Sequence, residues 1–412
     1  MLSPRRWLMI SLVFLATVIN YLDRQTLSVV APALRDQFRM SNTEYGWVVF
    51  AFMLAYTVMN GASGILIDRL GTRLGYALFV LWWSVATALH AFASGIWTLG
   101  IFRFLLGIGE AGNWPAGVKV VGEWFPERER ALAAGIFNSG SAIGAILAPP
   151  AIVWIVLRFG WPASFLAVGA SGLLWLTFWW MSYRPPEKVG EEIPAPRRYG
   201  FRVLLRTPFV LWFTVAKIFI DPAWYFYTFW FPEYLHRVRG FDLAAIGEYA
   251  WIPFAVAGFG NLLGGAASAW LLKVGFPLTA ARNLTVLLFA ALMAFAIPAV
   301  FVADARWSIA FVSLAMMGYT GSTANMLAMP TDVFSHEISA SVYGIASMGA
   351  GFGGMVFSLL TGWAVDHASY TPVFVGFGLM PLVCALILWT LAGPAARLKS
   401  VQQLQSSYAY QR

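Results

Sequence analysis

The stretch Gly64-Ile65-Leu66-Ile67-Asp68-Arg69-Leu70-Gly71-Thr72-Arg73 has the pattern G-x-x-x-D-R-x-G-x-R and lies between two long apolar runs. A glycine lets two helices approach closely, and an aspartate can cap a helix start while it pairs with an arginine. The simpler interpretation is an ordinary charged turn whose arginines extend into water. The spacing of the glycines and charges favours a specifically built connection between two helices.

The sequence around this stretch is too apolar for a soluble protein. Of the 412 residues, 59% are hydrophobic and 11% are charged, and the mean hydropathy is +0.69. Soluble domains carry about 25% charged residues. The 20 tryptophans fit the aromatic belts that membrane proteins place at both interfaces. The composition therefore indicates a protein embedded in the lipid bilayer. We attribute the net charge of +8 to basic residues in the loops and not to a nucleic-acid site.

Cysteine and histidine are too sparse to form disulfides or a metal site. Cys384 is the one cysteine in the sequence, so no disulfide can form within the chain. The four histidines have no metal-ligand spacing; they are His90, His236, His336 and His367. We therefore expect neither a metal ion nor a cofactor.

Twelve apolar runs are long enough to cross a bilayer, which takes about 20 helical residues. We predict an all-α membrane protein with spans at 8–31, 44–67, 75–94, 97–121, 131–157, 162–183, 208–235, 243–272, 281–303, 306–329, 339–365 and 370–393. The first run is too long and too charged for a cleaved signal peptide.

A polar stretch separates the first six spans from the last six, an organisation that is common in transporters. We predict two six-helix bundles. The division is 1–183 for the N-terminal bundle, 184–207 for a cytoplasmic linker, 208–393 for the C-terminal bundle and 394–412 for a cytoplasmic tail.

The loops alternate in charge along the chain. On one side of the predicted membrane lie 17 basic residues, including those of the linker and the tail, and on the other side lie six. Because cytoplasmic loops are enriched in lysine and arginine, both termini are predicted to be cytoplasmic.

The first span contains two adjacent charged residues, Asp23 and Arg24. Charges inside a membrane helix are costly and indicate a functional site. Neighbouring residues point about 100° apart, so each of the two needs its own partner elsewhere. Tyr21 lies on the Arg24 face at i, i+3 spacing. The alternative is a structural pair that fastens the first span to another helix.

The fourth span carries Arg103, Gly107, Glu110 and Trp114 at i, i+4, i+7 and i+11 spacing. On a continuous helix these residues form one stripe, which is too polar to face lipid. Arg103 and Glu110 are about 10 Å apart along such a helix. We expect them to interact through a partner such as Asp23. The alternative is a buried structural carboxylate at Glu110.

The seventh span places Lys217 and Asp221 at i, i+4 spacing, which allows an ion pair on one helix face. Trp224 and Tyr225 follow, and aromatic rings beside an acid suit the C–H faces and hydroxyls of a sugar. The alternative is an interfacial aromatic belt beside a structural ion pair.

Spans ten and eleven offer six further groups for hydrogen bonds to sugar hydroxyls. We select Asn325 and Tyr343 from the set Tyr319, Ser322, Thr323, Asn325, Tyr343 and Ser347. Each of them equally suits packing between helices.

The stretch from Gly64 to Arg73 resembles the signature loop of the major facilitator superfamily. The segment Glu123-Trp124-Phe125-Pro126-Glu127-Arg128-Glu129-Arg130, the region 110–165 and the motif Asp221-Pro222-Ala223-Trp224 resemble the anion:cation symporter family within it, nearest to bacterial hexuronate transporters. That branch contains carriers of hexuronates, aldonates and sialic acid. The resemblance implies two six-helix bundles that rock about a central site.

The resemblance also implies residue roles. Arg24 would hold the substrate carboxylate, Asp23 and Glu110 would be the titrating groups, and Arg103 would bias one of them. The substrate-binding set is Arg24, Tyr21, Trp114, Trp224, Tyr225, Asn325 and Tyr343, and the gating set is Gly64, Asp68, Arg69, Gly71 and Arg73.

Two positions depart from the family pattern. Asp221 stands where the hexuronate pattern has glutamate. In the second half, Ala269 stands where the family often has aspartate. We therefore expect the second gate contact to be weakened or absent.

The sequence excludes several functional classes. It has no nucleophile or metal cluster for an enzyme and no G-x-x-x-x-G-K-[ST] loop for ATP. The expected function is proton-coupled import of a sugar acid by a monomer in a bacterial cytoplasmic membrane. The alternatives are a transporter of another organic anion, a proton-coupled exporter, and a membrane sensor or receptor.

Overall fold

The computed structural model describes residues 5–125, 127–184, 201–334 and 336–396. Several helical side chains inside these ranges are not described, including that of Asp68 and those of 127–132 and 336–341. Most of the predicted linker at 184–207 and most of the predicted tail at 394–412 lie outside the described residues.

The described residues are almost entirely helical, and no strand occurs among them. The helices are α1 (Arg5–Phe38), α2 (Asn42–Leu70), α3 (Thr72–Leu89), α4 (Ile96–Glu110), α5 (Asn113–Trp124), α6 (Glu127–Phe159), α7 (Trp161–Ser182), α8 (Phe201–Leu205), α9 (Pro208–Arg239), α10 (Leu243–Tyr249), α11 (Ile252–Lys273), α12 (Leu278–Met293), α13 (Ala296–Phe301), α14 (Ala305–Val333), α15 (His336–His367), α16 (Thr371–Ile387) and α17 (Gly393–Ala395). A 3₁₀ turn, His90–Phe92, extends α3, and a π-helical turn, Leu388–Ala392, links α16 to α17.

Helices occupy each of the twelve predicted spans. In the described part of the chain, nine helical segments are long and apolar enough to cross a membrane. The prediction of an all-α membrane protein is confirmed.

The predicted fourth span is divided into α4 and α5, which corrects the expectation of one continuous helix. The physical reason is Pro115, which has no N–H to donate to the carbonyl of Ala111 four residues earlier. The hydroxyl of Ser63 on α2 donates to that carbonyl instead, at 3.0 Å. The turn at Ala111 and Gly112 is thus stabilised from a neighbouring helix.

The helix α2 begins at a capping box. Ser41 Oγ accepts the N–H of Glu44 at 3.1 Å, and the Glu44 carboxylate accepts the N–H of Ser41 at 2.8 Å. Asp366 caps the same end, since it accepts the N–H groups of Asn42 at 2.9 Å and Thr43 at 2.6 Å. Together these contacts satisfy N–H groups that a helix start leaves without partners.

The chain forms two compact units. The first contains Met1–Gly190, Tyr227–Trp251 and Ser358–Asp366, and the second contains Glu191–Phe226, Ile252–Phe357 and His367–Arg412. The predicted bundle boundaries at 183 and 208 remain a prediction.

The part of α9 from Tyr227 onward belongs to the first unit, and ion pairs join it to α1. Glu233 is fully buried and pairs with Arg35 of α1. Arg237 pairs with the same carboxylate at 2.9 Å and with Asp36 at 3.0 Å. The hydroxyl of Tyr45 donates to the carbonyl of Phe229 at 2.7 Å.

Gly107 allows α4 to pack closely against α2. A Cβ added at Gly107 would lie 2.4 Å from the carbonyl oxygen of Phe52, so the helices would have to separate. We predict that Gly107→Ala lowers stability by about 1–3 kcal/mol, the usual cost of overpacking. Thermal unfolding of the detergent-solubilised protein measures this loss. Gly100→Ala is the matched control, because that position on α4 has no neighbouring atom within 4 Å. Equal melting temperatures for the two variants would contradict the packing argument.

Candidate functional site

Arg24 and Glu110 form a buried ion pair in the first unit. Arg24 donates to Glu110 Oε2 from Nε at 3.0 Å and from Nη2 at 2.8 Å. Arg24 is 3% exposed and Glu110 is 0% exposed. The pair joins the middle of α1 to the end of α4. Arg24 therefore already has a carboxylate partner within the protein.

Aromatic rings surround the Arg24 guanidinium. Its carbon lies 4.8 Å from the ring centre of Tyr56, 5.1 Å from that of Tyr21 and 5.4 Å from that of Phe52. Aromatic faces attract cations without neutralising them. The cage can keep the guanidinium in place while its carboxylate partner changes.

Asp23 and Arg103 are also fully buried, and they lie within electrostatic range of each other and of Glu110. Among the described residues, neither carboxylate oxygen of Asp23 and no guanidinium nitrogen of Arg103 has a hydrogen-bond partner of good geometry. Oε1 of Glu110 likewise has no hydrogen-bond partner among the described residues. This differs from an ordinary structural network, whose buried polar groups are satisfied.

The four charged side chains form one cluster with two positive and two negative charges. A buried cluster of this kind contributes little to stability, since desolvation offsets the attraction between charges. Adding a proton or an anion changes its balance strongly, because charges interact strongly in a dry site. The arrangement can thus exchange one charged partner for another.

Trp114 lies on α5, beyond the break that separates it from Arg103 and Glu110 on α4. It packs on Phe137 of α6 with ring centres 5.2 Å apart. It is half-buried.

The predicted gating loop joins α2 to α3. Gly71 has a φ of 78°, a backbone conformation that favours glycine, and it ends one helix and starts the next. Arg73 donates to the carbonyl of Trp180 at 2.7 Å and lies over its ring at 4.6 Å. Arg69 is exposed, and Gly64 lies near Pro115. The side chain of Asp68 lies outside the described residues, so its role stays a prediction.

Glu123 supports this loop from α5. It accepts the hydroxyl of Thr72 at 2.6 Å and the hydroxyl of Tyr183. Glu123 is part of the family motif, but its contacts could not be predicted from local spacing, because its two partners are 51 and 60 residues away.

A polar network lies beside Ala269 in the second half, and the expected weakening or absence of the second gate contact stays a prediction. Arg282 of α12 pairs with Asp332 of α14 at 2.9 Å and donates to Ser268 of α11 at 2.9 Å. Ser268 precedes Ala269, so the serine supplies a polar group one position earlier than the family's aspartate. Asn325 joins this network, with Oδ1 3.3 Å from Arg282.

The Asn325 side chain is engaged in hydrogen bonds within and between helices. Its amide donates to the carbonyls of Gly264 at 2.9 Å and Gly321 at 3.1 Å. The side chain is 1% exposed. We do not retain it among the groups proposed to contact substrate.

A second cluster lies in the second unit. The predicted pair of Lys217 and Asp221 is present, with Nζ 2.8 Å from Oδ2. The hydroxyl of Tyr319 donates to the other Asp221 oxygen at 2.7 Å, and its ring stacks on Trp224 at 5.2 Å. Lys217 lies 5.3 Å from the ring centre of Tyr343. Tyr319 thus connects the ion pair to the aromatic group, a role that sequence analysis did not assign to it.

Tyr225 is half-buried and follows Trp224 on α9. In the described part of the chain, no group of three or more His, Cys, Asp or Glu residues is placed to bind a metal ion.

Comparison with known proteins reveals clear relatives. A family model described as Major Facilitator Superfamily matches residues 13–321 and 280–407. The hexuronate transporter of Escherichia coli (strain K12) is 30% identical over 426 residues, which cover 98% of each chain. The galacturonate transporter of Dickeya chrysanthemi is 35% identical over 279 residues, covering 63% of this chain and 80% of that one. A solved D-xylose-proton symporter has the same fold, with a TM-score of 0.74, 14% identity, and coverage of 94% of this chain and 98% of that chain.

Proposed function

This chain belongs to the Major Facilitator Superfamily and is an integral membrane transporter, not an enzyme, and on that premise we propose that it imports a sugar acid together with protons. Transporters named for hexuronate, galacturonate and D-galactonate are among its relatives. Sugar acids share a carboxylate and a row of hydroxyls, so both chemical features need partners.

The buried pair of Arg24 and Glu110 carries this proposal. Arginine stays charged at any working pH and offers a bidentate fork to a carboxylate. A proton on Glu110 removes the charge that holds the guanidinium. Arg24 is then released to bind the carboxylate of the substrate, still within its aromatic cage. Binding of a proton and binding of an anion are thereby linked through one side chain.

Two acids allow uptake against the membrane potential. An inside-negative potential opposes entry of an anion by about 2.3 kcal/mol per charge per 100 mV. One proton cancels the charge of a monoanion, and a second proton makes the potential favour uptake. Asp23 and Glu110 are the proposed carriers, with Arg103 as the cation that biases Asp23.

The cluster of the second unit is the proposed source of contacts to the sugar. Trp224 and Tyr225 present aromatic faces, and Tyr343 lies beside Lys217. Trp114 and Tyr21 supply aromatic groups in the first unit. An exporter of cations would use buried acids whose charge no buried cation balances, whereas the two buried arginines here favour an anion. We further propose a monomer in a bacterial cytoplasmic membrane.

A binding screen on the purified protein tests the substrate class. We expect hexuronates and aldonates to raise its melting temperature and plain hexoses to leave it unchanged, because hexoses lack the carboxylate. Stabilisation by non-sugar organic acids alone would favour the alternative of another organic anion. Stabilisation by hexoses equal to that by hexuronates would contradict carboxylate recognition.

The loop charges yield a topology prediction. We propose that the linker and the tail are cytoplasmic. A cysteine introduced at Ser400 in a Cys384→Ser background should not react with a membrane-impermeant thiol reagent added outside intact cells. The same cysteine should react after the cells are opened, which serves as the control. Rapid labelling of intact cells would place the tail outside and contradict the proposed orientation.

A further inference from the structure

His90 is a fully buried titratable residue that the proposed mechanism does not yet use. It begins the 3₁₀ turn at the end of α3. Its ring stacks on Phe165 of α7 with centres 5.0 Å apart, and Phe102 of α4 lies at 5.9 Å. A histidine between two phenylalanines is often only a packing group, so its polar atoms decide the interpretation.

The two ring nitrogens of His90 have different surroundings. Nδ1 lies 2.7 Å from the carbonyl oxygen of Ala86. A carbonyl can only accept, so Nδ1 carries the hydrogen and Nε2 keeps its lone pair. Among the described residues, Nε2 has no hydrogen-bond partner. The ring therefore presents a buried, unsatisfied proton acceptor.

Other buried polar side chains near the end of α3 also have no hydrogen-bond partner among the described residues. Trp83, Thr87 and His90 follow i, i+4 and i+7 spacing on α3, so they share one helix face. Among the described residues, the buried side-chain atoms without a hydrogen-bond partner include those of Asn20, Asp23, Gln25, Trp83, Ser84, Thr87, His90, Arg103 and Glu110. Buried polar groups in proteins are normally satisfied by protein or by ordered water. This face of α3 can accordingly hold a short chain of water molecules.

The neighbours of His90 connect it to Asp23. The side chain of Thr87 lies beside the Asp23 carboxylate, and its backbone carbonyl lies beside the His90 ring. Arg103 of α4 is the charged group within electrostatic range of the ring. The helix α7, which contributes Phe165, carries no charged residue.

We propose that His90 relays protons between the predicted outer end of α3 and Asp23, through water molecules held by the unsatisfied groups on this face. Nε2 takes the excess proton from a water molecule that has received it from the outer side, which gives an imidazolium and leaves neutral water. The imidazolium then gives this proton from Nε2 to a water molecule on the Asp23 side, which passes it to the Asp23 carboxylate, so the ring ends as it began. The positive charge of Arg103 destabilises the imidazolium. The ring therefore passes the proton on and does not retain it.

The variant His90→Phe tests the relay, since phenylalanine fills the same space between the two rings but accepts no proton. In proteoliposomes we expect sugar-acid uptake driven by a pH gradient to fall at least about 100-fold, the lower end of the range for loss of a proton-transfer group. Exchange of external for internal sugar acid should stay at the wild-type rate. His236→Phe is the matched control, because His236 Nδ1 also lies 2.8 Å from a backbone carbonyl, that of Phe241, but its Nε2 is not among the buried unsatisfied atoms.

The outcomes separate the relay from other roles. Unchanged gradient-driven uptake in His90→Phe would overturn the relay, and so would an equal loss of uptake and exchange, which indicates a structural role. This inference rests on the proposed proton-coupled uptake. Absence of gradient-driven uptake in the wild-type protein would instead contradict the proposed function itself.

A measurement without any substrate tests the relay independently. Nitrogen NMR of histidine-labelled protein in nanodiscs distinguishes an Nε2 that accepts a hydrogen bond from water from a bare lone pair. We expect the hydrated form at His90, with a change in its resonance in Thr87→Val. A bare lone pair that does not respond to Thr87→Val would contradict the water chain.

Discussion

The Arg24→Ala variant is expected to lose sugar-acid binding by at least about 30-fold, because truncating one partner of a buried charge pair costs about 2–5 kcal/mol. Arg24→Lys should also bind more weakly, since an ammonium offers a point charge and not a bidentate fork. Isothermal titration with a hexuronate measures both losses. Arg158→Ala is the control, because this arginine is exposed and lies over the Trp154 ring.

The ion pair with Glu110 complicates the single variant, which leaves a buried carboxylate without its partner. The double variant Arg24→Ala with Glu110→Gln removes that charge, so the fold should recover while binding stays lost. Recovery of near-wild-type affinity in the double variant would show that Arg24 serves the fold alone. That result would refute its assignment as the carboxylate ligand.

The Glu110→Gln variant is expected to separate exchange from accumulation. Glutamine imitates a permanently protonated Glu110, and its carbonyl oxygen can still accept from Arg24 where Oε2 does now. Exchange of external for internal sugar acid should persist, since it needs no net release of a proton. Accumulation driven by a pH gradient should fall strongly, because the variant cannot deliver the proton of Glu110 inside and keeps only Asp23 as a proposed carrier.

Counterflow and gradient-driven uptake in the same vesicles measure the two activities, with protein amount as the control. A structural Glu110 predicts that both activities fall together. Intact gradient-driven accumulation would refute the coupling role of Glu110 and shift the assignment to Asp23.

Local patterns in the sequence predicted the helices and some contacts correctly. Each apolar run became a helix because backbone groups in lipid must be satisfied within the segment. The pair of Lys217 and Asp221 also followed from local spacing, since i, i+4 neighbours lie on one face. The interruption of the fourth span was foreseeable from Pro115, but hydropathy alone does not register a missing N–H.

Contacts between residues far apart in the sequence could not be predicted from local patterns. Glu110 is 86 residues from Arg24, and helical periodicity does not tell which helices become neighbours. Tyr319 is 98 residues from Asp221, so its hydroxyl looked no different from other polar groups in the same spans. The contact of Arg282 with Ser268 and Asp332 depends on three helices, and a comparison at position 269 alone missed it.

Uptake of labelled hexuronate into proteoliposomes that contain only this protein tests the central claim most directly. The vesicles are loaded at neutral pH, diluted into acidic buffer, and compared with and without a protonophore at matched protein amounts. We expect labelled hexuronate to accumulate above its external concentration while the pH gradient lasts, and to equilibrate when the protonophore is present. Transport that only ever equilibrates the hexuronate, with or without the gradient, would contradict proton-coupled import.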